Sequence, residues 1–595
     1  MKPMRPPILI SSLVLVAVLF SHSAEAGNQQ VKIGDRIANL NFKDIHYLPR
    51  SLDDFQKKKA FVLIFTTATC PVVQRYLPEL RRLEKEYRAK GVQFVAIDVG
   101  ADDSILAVAA QAVRHDMEFP FVKDFTGDGV RALGVERTPA VVVLDEQRRL
   151  RYRGRIDNQY RLGGTRAAAT RHDLQEAIDA VLAGREVAVK ETPVDGCLIS
   201  LPESRSPKRN VTFAEHIAPL LRKHCQECHR PGTAAPFSLI TYNQVAAKAS
   251  TIAEVVAEGR MPPWYASHDS GHFINQRGLS PDESDLLQDW IRTGMPEGDV
   301  KKFPIAQPDP KQSKWLIGEP DLIVPAPKHD LPASGEIEYK YVILPYLFLS
   351  DTWMQGIQIL PDNPRALHHC NMAYFIPGEG FKQSNFITGT VPGGSPMILD
   401  HGVGFKIPRG AGLVLQIHYV TTGKEEKCQI RVGFKYARGL IQKQIRHKVL
   451  VDNKFTIPPG APAYPVKDTK VFDSDVTGIG LFVHMHLRGK DMTFRAHYPD
   501  GTTETLLLVP NYNFDWQMPY VWDPGKKQFP KGTRLECVAH YDNSSFNPYN
   551  PDPTATVRDG PQTRHEMMNG YVFYTETAEQ LNLNIDPRTG HARGK

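Results

Sequence analysis

The chain has 595 residues, 41% hydrophobic and 23% charged, with a formal net charge of +6. That length is too great for one hydrophobic core; at roughly 100–200 residues per domain it divides into about three to five. The charge forms no basic block, which excludes a nucleic-acid-binding reading, and 46 prolines with 44 glycines favour loops and strands over long helices.

Residues 1–26 read as a cleavable signal peptide. Lys2 and Arg5 give a positive start, Ile8 to Phe20 is apolar but short for a membrane span, and Ala24-Glu25-Ala26 is a small-residue cleavage site. An uncleaved anchor is the alternative. The mature chain is expected to start at Gly27, to be periplasmic or secreted, and to carry no membrane span. Seven cysteines in an exported chain permit disulfides, but the count is odd and only Cys225 and Cys228 lie close together. A disulfide-stapled scaffold is excluded.

Residues 27–190 alternate strand and helix patterns. "AFVLIFTTATCPVVQRY" (60–76) is a buried strand followed by a cysteine that opens a helix. "GVQFVAIDVG" (91–100) is a second strand, "RTPAVVVLDEQRRLRYRGRI" (137–156) holds two more, and Pro78 to Lys90 is helical. This predicts an α/β domain around a central sheet. The region resembles the thioredoxin-like fold in its redoxin branch. The resemblance puts Cys70 at the family's nucleophilic cysteine and Thr138-Pro139 at its cis-proline step. It also departs from the family: Val73 stands where thioredoxins have their second cysteine, and Leu63 where the peroxidase branch has proline. Cys70 is therefore read either as a reactive thiol at a helix N-terminus or as the remnant of a domain kept for docking. Cys197, in the 191–207 linker, is a distant candidate partner for it.

Residues 208–300 contain "HCQECHRPG", in which Cys225-x-x-Cys228-His229 is the attachment motif of c-type haem. Cys225 and Cys228 would form the thioethers and His229 the axial bond. Thr212 and Glu215 predict one capping box, Ser280 and Glu283 another. "GRMPPWY" between these helices offers Met261 as sixth ligand, with His268 and His272 as alternatives. The region resembles a small, all-α, class I-like cytochrome c.

Residues 318–445 and 446–580 carry many short alternating strands and predict two antiparallel β sandwiches of jelly-roll type, joined near Lys443 to Pro465. The first supplies His368, His369 and His418; the second supplies "FVHMHLRGK", with His484 and His486, and "HEMMNGYVFY", with Met567 and Met568. In a strand, His484 and His486 share one face and Met485 takes the other. Imidazole alone suits zinc or copper; an added thioether favours copper. His401, His497, His540 and His565 lie outside these motifs and read as ordinary polar residues.

The order of these motifs resembles the type II copper monooxygenases, the group of the peptidylglycine α-hydroxylating and dopamine β-monooxygenases. The resemblance implies an electron-transfer copper on His368, His369 and His418. It implies an oxygen-binding copper on His484, His486 and Met567, which follows Glu566 as in the family's Glu-Met. It further implies O2 and a small organic or peptide-like substrate, with ascorbate or another small reductant, the fused haem, or a periplasmic donor supplying electrons. The family's cysteine after that methionine is missing here: Cys537 is present, but Met568 stands at its partner's position. Cys370 is read as a thiolate ligand, a partner for Cys428 or a buried free thiol. The function expected is an exported C–H-hydroxylating monooxygenase, against a non-catalytic electron-transfer or copper-handling protein.

Overall fold

The computed structural model describes residues 30–593 except 56, 162, 202–208, 303–313, 380–384, 392–393 and 401. The signal-peptide reading of residues 1–26 and the reading of His401 lie outside the described residues. Among those described, no helix is long and apolar enough to cross a membrane.

The unbroken apolar run Ala60–Thr66 is a strand buried at every position. It pairs in parallel with Val92–Asp98 and antiparallel with Ala140–Asp145 inside a seven-stranded sheet. Apolar runs without alternation belong to strands covered on both faces, and helices lie on this sheet. Cys70 is the N-cap of the helix Pro71–Arg88. The cysteine thus opens the helix as the sequence predicts; Pro78 stands inside it, and it ends at Arg88, short of the predicted Lys90. The buried stripe Val73, Tyr76, Leu77, Leu80 and Leu83 outweighs the backbone bond the proline removes. The Thr138–Pro139 peptide is cis, as the redoxin resemblance implied. The short strand Cys197–Leu198 pairs antiparallel with Arg137–Thr138, so this part of the 191–207 stretch runs along the first domain.

Residues 213–292 hold the helices Ala218–His224, Tyr242–Ala246, Ala249–Ala257 and Pro281–Arg292. They share a core built on Phe213, Leu221, Ile252, Leu287 and Trp290. Ser280 and Glu283 form their predicted capping box. The one predicted at Thr212 does not form. The Thr212 N–H donates to His216 Nδ1 (3.2 Å), and a π-helical turn, Phe213–Ile217, opens this element instead.

The remainder is β-rich, with several sheets. A six-stranded and a four-stranded sheet enclose one core that includes Ile359, Leu415 and Phe434; a five-stranded and a four-stranded sheet enclose a second that includes Val483, Phe494 and Val572. Leu583–Ile585 pairs back onto Gly439–Ile441 and ties the end of the second part to the first.

The regions are packed on one another. Phe55 of the first domain stacks on Phe546 (5.2 Å between centroids), and Asn511 Nδ2 donates to Ile45 O (3.2 Å). Lys43 pairs with Glu254 and Glu258 of the helical region. Trp264 and Phe273 pack on Tyr520. Ser267 N–H donates to Leu508 O (2.8 Å).

The two methionines after Glu566 differ in environment. Met568 is fully buried among Met485, Met492 and Cys537, whereas Met567 is half-buried. Met568→Ala should therefore cost about 2–5 kcal/mol and Met567→Ala much less, as read by hydrogen exchange in the strand Asn569–Glu576.

Candidate metal centre

Two adjacent histidines on a regular strand point to opposite faces. His368 and His369 avoid this through a bulge. In the pairing of Leu367–Phe375 with Gly412–Tyr419, Leu367 faces Tyr419 and His369 faces His418, leaving His368 as the extra residue. A bulge re-aims a side chain, and here the three rings meet at centroid distances of 4.9–5.1 Å. One ligand nitrogen from each lies within 4.8 Å of the others. Cys370 points into the sandwich core with Cys428, and both are free thiols. Burial raises both thiol pKa values, that of Cys428 to about 11.

His484 ends the strand Val476–His484, and His486 lies two residues on. Their rings stand 5.2 Å apart, while Met485 is wholly buried on the other side. Glu566 fixes this strand end. Its carboxylate accepts from the backbone N–H groups of His486 (2.9 Å) and Arg488 (2.7 Å). Burial pushes its carboxyl up to about 8, against those same hydrogen bonds. Tyr512 OH donates to Met485 O (2.7 Å), and Tyr541 OH to Met567 O (2.8 Å). Asn569 is the register partner of His484, and its Nδ2 contacts Met567 Sδ (3.7 Å). Met567 thus lies just before the strand whose first residue, Asn569, pairs with His484.

The two groups of histidines converge. His369 and His484 have centroids 6.2 Å apart. Phe514 lies within 6.1 Å of His368, His369, His418 and His486, stacking on His368 at 4.7 Å. Several of these contacts come from residues outside the sequence motifs. Asp515 Oδ1 accepts from His368 Nε2 (2.8 Å), Gln517 Oε1 from His484 Nδ1 (2.7 Å), and His565 O from His486 Nδ1 (3.1 Å). Tyr339 sets its ring 4.6 Å from His418 and 5.5 Å from His369. No spacing rule finds a loop residue or a backbone carbonyl; only the "NYNFDWQ" cluster of aromatic and polar residues marked this loop in the sequence.

The Gln517 and His565 bonds occupy Nδ1 of His484 and His486 and leave Nε2 of each for a ligand, as outer-shell partners of metal sites do; His368, bonded to Asp515 through Nε2, also meets His369 Nδ1 through its own Nδ1 (2.9 Å). His369 Nε2, His418 Nδ1 and His486 Nε2 are buried and have no hydrogen-bond partner among the described residues. Native proteins rarely leave such atoms unpaired, and buried, unpaired imidazole nitrogens fit a transition metal. Burial, followed by the neighbouring imidazoles, holds His369 well below its ordinary value, and burial takes His418 and His486 to about 3. All three rings are therefore neutral, the form that binds metal.

In the helical region, His229 Nδ1 donates to Phe237 O (3.1 Å), which leaves its Nε2 for an axial bond. Cys225 and Cys228 are half-buried free thiols raised by burial, Cys225 to about 12. Met261 is half-buried; His268 and His272 are exposed. In the first domain, Cys70 is buried, and Cys197 lies beside it in thiol–thiol hydrogen-bond contact. His497 and His540 lie elsewhere, on Thr503 and Asp491.

Residues 32–168 match the redoxin family, and this part is a thioredoxin-like domain. The chain is 28% identical over 118 residues to the thiol-disulfide oxidoreductase ResA of Bacillus thuringiensis subsp. konkukian (strain 97-27), covering 20% of this chain and 66% of that protein. It therefore spans just under two thirds of that relative's length. It is 26% identical over 143 residues to ResA of Halalkalibacterium halodurans, covering 24% and 80%. Among solved structures, a hypothetical protein of Sinorhizobium meliloti 1021 is 28% identical and covers 30% of this chain and 98% of its own, at a TM-score of 0.28. The relatives give the first domain a general oxidoreductase character.

Glu566→Ala leaves two buried backbone donors without an acceptor, so it should destabilise the strand end by about 1–3 kcal/mol per donor. Glu566→Gln, which retains one acceptor oxygen, should cost less. Urea unfolding of the metal-free protein measures both.

Proposed function

We propose that the chain is an exported, copper-dependent monooxygenase that hydroxylates a C–H bond of an organic substrate with O2, drawing electrons through a fused c-type haem. One observation carries this reading: five buried imidazoles from two sandwiches converge, and three of them present unpartnered ring nitrogens. His368, His369 and His418 would hold one copper, and His484, His486 and Met567 the other. Bound copper supplies one-electron redox chemistry and activation of O2, and a thioether at the second site favours the cuprous state. Glu566, Gln517 and the His565 carbonyl hold the His-x-His pair in position, and Asp515 holds His368. Phe514 keeps water from the rings it covers.

Cys225, Cys228, His229 and Met261 would hold the haem. The loop that follows Met261 supports its role in electron delivery. Trp264 packs edge-on to Tyr520 (5.2 Å), and Asn275 Nδ2 donates to Pro519 O (2.8 Å). This loop thus docks on the sandwich beside the 510–518 loop, which carries the Asp515 partner of His368. A tethered donor acts at high effective concentration. The signal-peptide pattern supports export, since haem attachment of this type occurs outside the cytoplasm.

Metal analysis of replete protein should find two coppers beside one haem iron, and the haem should stay attached in acidified organic solvent. Met567→Ile should abolish substrate-dependent O2 uptake while one copper stays bound; His418→Ala should remove the other copper. Met568→Ile should retain both coppers. A single metal lost in every variant overturns the two-site division. Bound copper with no O2 uptake on any C–H substrate leaves the chain a copper-handling or electron-transfer protein.

A further inference from the structure

The first domain lacks the second helix cysteine, because Val73 fills that position, wholly buried. The chain nevertheless brings another thiol to Cys70. Cys197 lies opposite Thr138, next to the cis peptide that borders Cys70. The pairing is deliberate in its details. Arg137 Nη1 donates to Gly196 O (2.7 Å), and Ile199 N–H donates to Glu136 O (2.9 Å). A Cβ at position 196 would stand 2.0 Å from Thr138 O, so only glycine lets the segment come this close. Cys70 is 2% exposed and can donate to Thr138 O (3.5 Å), whereas Cys197 is half-buried and packs on the same core cluster.

We propose that Cys70 and Cys197 form a reversible dithiol–disulfide pair, in which the segment after the domain supplies the thiol that the helix lacks. The two thiols are unequal. Burial raises Cys70, but hydrogen bonds from the Cys197 thiol and from the Val73 and Cys197 backbone outweigh it and bring it below the ordinary thiol value. Burial and the facing Cys70 push Cys197 up to about 11. The chemistry follows from this asymmetry. In the disulfide form, a thiolate of an external dithiol attacks Cys197 Sγ, the more exposed sulfur. The Cys70–Cys197 bond breaks, and Cys70 leaves as a thiolate. The second thiol of the donor, having lost its proton to solvent, attacks the mixed disulfide and releases Cys197, which takes up a proton. The donor loses two electrons and becomes a disulfide; the pair gains those two electrons. The reverse sequence oxidises the pair with an external disulfide. Closing the bond also fastens the segment leading to the helical region onto the first domain.

The full-length protein, equilibrated with mixtures of reduced and oxidised dithiothreitol, tests this by peptide mass mapping after acid trapping. A Cys70–Cys197 crosslinked peptide should accumulate as the oxidised fraction rises, and it should disappear again on return to the reduced form. Gly196→Val retains both cysteines but displaces the segment, and it should lose the crosslink. Iodoacetamide labelling of the reduced protein against pH should show Cys70 reacting at lower pH than Cys197, and Cys197→Ser should move the Cys70 profile upward. If both thiols remain alkylatable in fully oxidised dithiothreitol, or the crosslink forms as readily in Gly196→Val, the proposal fails. None of these readouts depends on copper or haem.

Discussion

Four of the converging imidazoles, His369, His418, His484 and His486, are held below the ordinary imidazole value, first of all by their burial. Burial and ring–ring repulsion both act against protonation, and together they keep these rings neutral. Neutrality then creates a second demand, because each ring still has a nitrogen lone pair that must be aimed somewhere. Gln517 and the His565 carbonyl each take one N–H and so decide which nitrogen of His484 and His486 is left over, while His368 bonds Asp515 through one nitrogen and His369 through the other. The geometry of the centre follows from this constraint. The bulge at His368, the Glu566 clamp under His486 and the aromatic cover of Phe514 and Tyr339 all orient the rings towards a common space.

That space lies where two sandwiches meet, so neither could form it alone. The histidines of the first sandwich sit at the paired ends of the two central strands of its four-stranded sheet, and those of the second at a strand end held by the buried Glu566 side chain. The loop 510–518 belongs to the second sandwich yet bonds to a histidine of the first. The helical region reaches the same corner through Trp264, Phe273 and Asn275. Docking of the redoxin domain through Phe55, Phe546 and Asn511 completes the assembly. The first domain, the helical region and the two sandwiches are thereby held in one packed body.

Some of this is legible in the residues. Solid apolar runs fixed the sheet of the first domain because its strands are covered on both faces. Cys225-x-x-Cys228-His229 and His484-x-His486 are local, and a local pattern survives whatever the rest of the fold does. The Thr212 capping box failed because His216 competed for the same backbone donor, and the helix that Cys70 opens runs on through Pro78 because buried packing overrides the proline.

The sequence by itself determined which residue types were present, their order, and the period that turns each towards core or solvent. His484 and His486 against Met485 is such a case, since i and i+2 share a face and the residue between them takes the other. Tertiary structure alone decided which distant groups meet. The bulge that turns His368 beside His369 is an extra residue in a pairing, and pairing is a property of two strands. The meeting of Cys70 with Cys197, the approach of His369 to His484, and the reach of Asp515 and Gln517 each join positions far apart along the chain. Such contacts depend on how separate elements pack, and no periodicity within one element encodes that.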